Sequence, residues 1–269
     1  MPSFGIGTWR MGEQSSAAQA EIALITAAIE RGVTLIDTAE MYGDGGAELV
    51  IGRAIADAPI SREKLFIVSK VYPHNASRKG TIAACERSLK RLGADYLDCY
   101  LLHWPGEYLI AETVDAFEAL MAQGKIRGWG VSNFDLEDMQ ALVATSNGNN
   151  VATNQVLYNL SCRGVEFSLL PWQRERGIST MAYSPIAQAQ LLTSSTLKAI
   201  ASDIGATPAQ LAIAWLLMQP DVIVIPKTTQ IARLEENLGA LDLKLDASTL
   251  AALDAAFPPP REHWPLAMS

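Results

Sequence analysis

The chain has 269 residues, 21 Lys and Arg against 29 Asp and Glu, a formal charge of −8, 49% hydrophobic residues and 19% charged ones. That balance excludes a disordered polymer, which needs low hydrophobicity with high charge, and it lacks the basic surface that a phosphate backbone demands, so no nucleic-acid partner is expected. Any anionic ligand would have to be gripped by a few placed cations.

Met1-Pro2-Ser3-Phe4-Gly5 carries no basic stretch followed by an apolar core, so no signal peptide is read at the start. Gly5-Ile6-Gly7-Thr8 is the first strand candidate. A helical stretch from Ala17 to Arg31 ends at Gly32 and leads into the β-branched run Val33 to Asp37. Further strand-like runs are Leu65 to Lys70 and Leu97 to His103, and others begin near Ile126, Val151, Ile178 and Val222. Successive starts from 33 to 178 lie 25 to 32 residues apart, the size of one strand-helix unit, and 44 residues separate 178 from 222.

The helices between the strands carry their own punctuation. Ser77 precedes Arg78 to Leu92 as a cap, and Gly93 follows. Asp135 opens Leu136 to Ala144, and the last long gap holds Pro208 to Met218 behind Thr207. Polar residues, Pro and Gly interrupt every uncharged stretch, so no membrane span is expected. Eight apolar strands without a linker predict one closed (β/α)8 TIM barrel over residues 1–269, with an open doubly wound sheet as the alternative. No G-x-G-x-x-G occurs, which disfavours a Rossmann-type site. Cys85, Cys99 and Cys162 are odd in number and lack close-pair metal spacing; they read as reduced, mostly buried thiols of a cytoplasmic protein.

Active sites of such barrels lie where the strands end. Three consecutive strand exits deliver Asp37 with Tyr42 just beyond it, Lys70, and His103. Taken singly, each has an ordinary reading as a cap, a surface charge, a core edge or a buried histidine. Together they form no metal set, because Tyr and Lys are poor ligands at neutral pH. They suit proton donation by a tyrosine, in which an ammonium lowers the phenol's pKa, a carboxylate holds the ammonium, and an imidazole orients a carbonyl oxygen.

Seven segments then carry a resemblance: Gly5-Ile6-Gly7-Thr8-Trp9, Ile36-Asp37-Thr38-Ala39-Glu40-Met41-Tyr42-Gly43, Ile67-Val68-Ser69-Lys70, Leu101-Leu102-His103-Trp104-Pro105, Gly130-Val131-Ser132-Asn133-Phe134, Tyr183-Ser184-Pro185 and Ile225-Pro226-Lys227-Thr228-Thr229. In that order they resemble the aldo-keto reductases over nearly the whole length, most closely small bacterial members of the methylglyoxal and diketogluconate reductase type. The resemblance implies a (β/α)8 barrel that reduces carbonyls with NADPH, with Asp37, Tyr42, Lys70 and His103 as the tetrad and Tyr42 as general acid. It also implies cofactor contacts. Thr8 and Trp9 fall in the first motif. Ser132, Asn133 and Gln155 match carboxamide-binding positions, and Tyr183 matches the ring stacked under nicotinamide. Ser184 and Ile186 match pyrophosphate contacts. Lys227, Thr228 and Arg233 match the holders of the 2′-phosphate, on a segment expected to open a helix, and Glu236 and Asn237 match adenine contacts.

The chain departs from the family's animal members in its loops. Trp104 to Tyr108 runs almost directly into a helix near Glu112, and only Arg261 to Ser269 follow the last proline run. Short loops imply an open pocket and broad recognition of small aldehydes, α-dicarbonyls or keto-sugars. Trp9, Tyr72 and Trp104 are the candidate pocket aromatics, with Trp264 as a further one from the tail. Two other readings stay open: a Schiff-base lyase using Lys70, and a slow-turnover NADPH-binding regulatory protein. The chain is expected to be a monomer or homodimer, and nothing in the sequence marks an interface.

Overall fold

In the computed structural model, residues 1–58 and 60–268 are described, so Ser269 at the end of the predicted tail lies outside. The elements run β1 (Gly5–Gly7), α1 (Ala18–Glu30), β2 (Leu35–Asp37), α2 (Gly46–Asp57), β3 (Phe66–Val71) and α3 (Arg78–Leu92). They continue with β4 (Cys99–Leu102), α4 (Ile110–Ala122), β5 (Trp129–Ser132), α5 (Leu136–Val143), β6 (Thr153–Leu157) and α6 (Leu169–Arg174). Last come β7 (Ser179–Tyr183), α7 (Ser195–Asp203), α8 (Pro208–Leu217), β8 (Val222–Val224), α9 (Ile231–Leu238) and α10 (Ala247–Ala256).

The sheet runs β1 to β8 in chain order with every neighbouring pair parallel. It closes on itself: Phe4 pairs in parallel with Val224, the Val224 N–H donates to Ser3 O at 2.8 Å and the Gly7 N–H to Pro226 O at 3.0 Å. Sequential order with closure is the TIM barrel and excludes the doubly wound alternative. Six of the strands start one to three residues after the apolar runs begin. The leading residues are still used below the ladder, as where Leu97 bridges Ile126. Predicted caps form. Ser77 accepts from the Gly80 N–H, Gly93 turns left-handed at φ 62°, and reciprocal capping boxes join Asp135 with Asp138 and Thr207 with Gln210.

Strand side chains alternate, so inward and outward positions separate into two cores. Leu35, Val68, Cys99, Leu101, Met181, Ile223 and Ile225 fill the barrel interior. The outward set, among them Ile36, Ile67, Tyr100 and Leu102, packs against the helices. Moving two residues along from the interior layer keeps the same parity. Leu35 leads to Asp37, Val68 to Lys70, Leu101 to His103, Met181 to Tyr183 and Ile225 to Lys227. Asp37, Lys70 and Tyr183 are therefore carried on the same pleat that builds the core, while His103 and Lys227 lie just past the ends of β4 and β8 and Tyr42 lies on the loop after β2. All three cysteines are free, and burial pushes the Cys85 and Cys99 thiols up to about 12, which leaves them protonated and inert. Among the described residues, no single helix is long and apolar enough to cross a membrane.

Candidate active site

The four strand-exit residues meet. Lys70 Nζ, fully buried, donates to Asp37 Oδ1 and Oδ2 at 2.8 and 2.9 Å, to Thr38 O at 2.8 Å and to the Tyr42 hydroxyl oxygen at 3.3 Å. The His103 ring stands edge-on to Tyr42, with centroids 5.7 Å apart. The loop that carries Tyr42 is drawn tight by Gly43, whose φ is +59° and where a Cβ would meet Met11 O at 2.7 Å. Only glycine fits a left-handed position this close to another backbone.

Burial sets the protonation states. It opposes the charge on Lys70, yet Asp37 first and Tyr42 second outweigh it and hold the ammonium above its ordinary value. Tyr42 departs from the sequence expectation. Lys70 does pull the phenol down, but burial pushes it up more strongly, Asp37 adds to that push, and the net shift is upward. His103 is driven down to about 2 by burial and then by the Lys70 charge, so its imidazole is neutral at physiological pH. Its Nδ1 is buried with no hydrogen-bond partner among the described residues.

The residues expected at a cofactor divide into those facing the site and those committed elsewhere. Ser132 Oγ donates to Gln155 O at 2.9 Å. Asn133, left-handed at φ 59°, donates from Nδ2 to His103 O at 3.1 Å and accepts from the Tyr183 hydroxyl at 2.9 Å. Gln155 Nε2 donates to Asp37 Oδ1 at 2.8 Å, which joins this group to the tetrad. Thr8 is fully buried, and its hydroxyl donates to Asp37 O at 2.9 Å, so that side chain braces β1 against β2 instead of lining open space. Trp9 is 42% exposed at the rim. Ser184, Ala187, Gln188 and Ala189 all take positive φ without being glycine, a dense stretch of backbone strain around the half-buried Ile186.

One expectation needs correction. The segment Ile225 to Thr229 does not open a helix: Thr228 Oγ1 accepts from the Gln230 N–H at 3.1 Å, Gln230 is extended, and α9 starts at Ile231. Lys227 therefore stands before the helix, while Arg233 is exposed, Glu236 half-buried and Asn237 buried on it. Lys227 is held below its ordinary value by burial and then by the neighbouring Arg10 guanidinium. It has no hydrogen bond or ion pair among the described residues. Arg10 escaped the sequence reading, although it directly follows Thr8-Trp9 and so carried a positional signal.

The pocket aromatics also divide. Trp104 lies 4.8 Å from His103 and 5.6 Å from Tyr72, and Tyr72 lies 6.5 Å from His103, which gives one continuous wall. Trp264 is not part of it. It packs over Gly164 and lines a small apolar cavity of about 60 Å³ with Leu136, Cys162 and Leu169.

Comparison with known proteins adds three findings. The aldo/keto reductase family model matches residues 3–257. A methylglyoxal reductase of Escherichia coli K12, YeaE, is 50% identical over 273 residues, covering 100% of this chain and 95% of the relative, and the methylglyoxal reductase DkgB of E. coli O157:H7 is 34% identical, covering 94% and 93%. A crystal structure of an aldo/keto reductase from Klebsiella pneumoniae in complex with NADP and acetate superposes with a TM-score of 0.96 at 48% identity, covering 100% of this chain and 96% of that one.

Proposed function

The chain belongs to the aldo/keto reductase family, and from that premise we propose that it reduces small aldehydes, α-dicarbonyls or keto-sugars to alcohols with NADPH, Tyr42 being the proton donor and the whole chain acting as one barrel domain. The single observation that carries this reading is the fully buried Lys70 ammonium, 2.8 and 2.9 Å from the Asp37 carboxylate oxygens and 3.3 Å from the Tyr42 hydroxyl.

Because Lys70 is the donor in that last bond, the phenol's own proton is directed elsewhere, to a carbonyl oxygen bound against Tyr42. As that oxygen gains charge, Tyr42 gives up its proton and the ammonium stabilises the phenolate left behind. Asp37 keeps the ammonium charged and fixed. His103, neutral at working pH, donates a hydrogen bond from its imidazole and orients the carbonyl. Bound NADPH supplies the hydride.

The residues present fit that cofactor. Lys227 is half-buried, has no hydrogen bond or ion pair among the described residues, and stands beside Arg10, whose guanidinium is paired with Glu13 at 3.4 Å; two cations this close in an acidic protein suit a phosphate. Thr228 and Arg233 would join them at the 2′-phosphate, and Glu236 and Asn237 at adenine. The strained backbone from Ser184 to Ala189 suits the pyrophosphate, and Ser132, Asn133, Gln155 and Tyr183 suit the nicotinamide end. A Schiff-base role for Lys70 is disfavoured, since that chemistry needs a neutral amine and Asp37 holds this one charged.

The test is NADPH oxidation by the purified protein against a panel of carbonyls, repeated with NADH. Multiple turnovers on short aldehydes or dicarbonyls, with NADPH preferred, support the reading. Tight NADPH binding without multiple turnover on any member of the panel would point to the regulatory alternative.

A further inference from the structure

Glu40 lies on the β2 exit loop between Asp37 and Tyr42, and it is only 7% exposed. A carboxylate this buried has to be compensated, and none of its side-chain partners is on its own loop. Its Oε1 accepts from the Tyr72 backbone N–H and from Asn75 Nδ2, both at 2.9 Å. Its Oε2 accepts from Arg87 Nη2 of α3 at 3.3 Å, and its own N–H donates to Lys70 O at 3.3 Å. One side chain thus ties the loop carrying Tyr42 to the loop that follows β3.

What it holds is a wall of the site. The Tyr72 ring stands edge-on to Trp104 at 5.6 Å and lies 6.5 Å from His103. Behind that wall there is little apolar support. Tyr72 belongs to neither hydrophobic cluster, its other ring neighbour is His74 at 4.5 Å, and a polar recess of about 400 Å³ adjoins it, lined by Glu40, Asp44, His74, Asn75 and Arg87 among others. Tyr72 is held chiefly at its backbone: its N–H donates to Glu40 Oε1 and its carbonyl accepts from the Asn75 N–H, both at 2.9 Å. The Asp37, Lys70 and Tyr42 contacts involve no atom of the Glu40 side chain.

We propose that Glu40 is a positioning residue for substrate selection: by joining the Tyr42 loop to Tyr72 and Asn75, it holds the Tyr72 wall close to the carbonyl site and favours small carbonyls over bulky ones. This rests on the reading of the site as a carbonyl reductase.

The test is steady-state kinetics of the full chain with NADPH, using methylglyoxal as the small carbonyl and 4-nitrobenzaldehyde as the bulky one, for wild type, Glu40→Ala, Glu40→Gln and Asn75→Ala. Glu40→Ala is expected to raise KM for methylglyoxal about tenfold with kcat within about threefold. The bulky aldehyde should lose less, so the selectivity ratio narrows, and NADPH affinity measured by fluorescence quenching should stay unchanged. Glu40→Gln keeps an acceptor for the Tyr72 N–H and should restore most of the ratio. Asn75→Ala, which leaves the Glu40–Tyr72 bond in place, should narrow the ratio by about twofold and carries the test should Glu40→Ala fail to fold. An unchanged ratio in the folded variants overturns the proposal. So does a fall in kcat shared equally by both substrates, with Gln no better than Ala. If wild type itself turns over neither carbonyl, the reductase reading falls and this inference falls with it, whereas wild-type turnover with unaltered selectivity in the variants removes this inference alone.

Discussion

Lys70 meets Asp37 through both carboxylate oxygens and Tyr42 through one hydroxyl, and the three side chains have to be considered as one electrostatic unit. Residue types and spacing were enough to bring the four together on paper. Their protonation was not legible, because it depends on how much water the fold removes. Lys70 alone would lower the Tyr42 pKa; buried in the barrel mouth, the phenol rises instead and stays an acid. His103 sharpens the point. With its imidazole at about 2, kcat/KM for reduction should show no limb near the ordinary histidine value of about 6.5, and a pH–rate profile between about pH 5 and 8 checks it. The same shift has a stability consequence. Between the two values the unfolded histidine binds a proton and the folded one does not, so the His103 contribution is complete above the unfolded value and shrinks as pH falls, by up to about 1.4 kcal/mol per pH unit. Urea unfolding at successive pH values should therefore show a shallower acid loss for His103→Asn than for wild type. Glu40 marks the limit of reading locally. Glu40 is bound to residues 32 to 47 positions away, and no short motif encodes those partners.

Elements were legible where capping chemistry is local. Ser77, Asp135 and Thr207 each cap the helix they were expected to cap, since the signal is one side chain reaching two or three residues along. The start of α9 departs from the expectation for a related reason. Pro226 and the cations resemble a helix opening, but the Thr228 hydroxyl takes the Gln230 N–H and delays the first turn to Ile231. The α5 cap also bears on the site, because it lies two residues after the left-handed Asn133 that bonds the His103 carbonyl and Tyr183. Asp135→Ala should cost about 1 kcal/mol in thermal or urea unfolding. The same change should weaken NADPH binding more than loss of the α10 cap Asp246, which accepts from the Thr249 N–H and lies nine residues from the nearest candidate cofactor residue, against two for Asp135, and fluorescence titration of Asp135→Ala beside Asp246→Ala checks the difference.

At the scale of the whole molecule, the repeat of strand and helix was enough to predict the barrel. Closure through Phe4 and Val224 follows from eight parallel strands in chain order. The tail was the part least legible. Trp264 is aromatic and near the end of the chain, but its packing over Gly164 is decided by a surface assembled from distant segments. The charge of −8 describes the surface and not the site. Replacing both Lys227 and Arg233 with Ala should weaken NADPH at least tenfold while leaving NADH nearly unchanged, because an Arg or Lys contact to the 2′-phosphate is worth about 1.5 to 3 kcal/mol and NADH lacks that group. Paired titrations at fixed ionic strength check it. The most direct test of the account is the Tyr42→Phe protein, which keeps the ring and removes only the hydroxyl. It should bind NADPH with wild-type affinity and reduce methylglyoxal at least about a hundredfold more slowly than wild type. Reduction at the wild-type rate would contradict the assignment of Tyr42 as the proton donor.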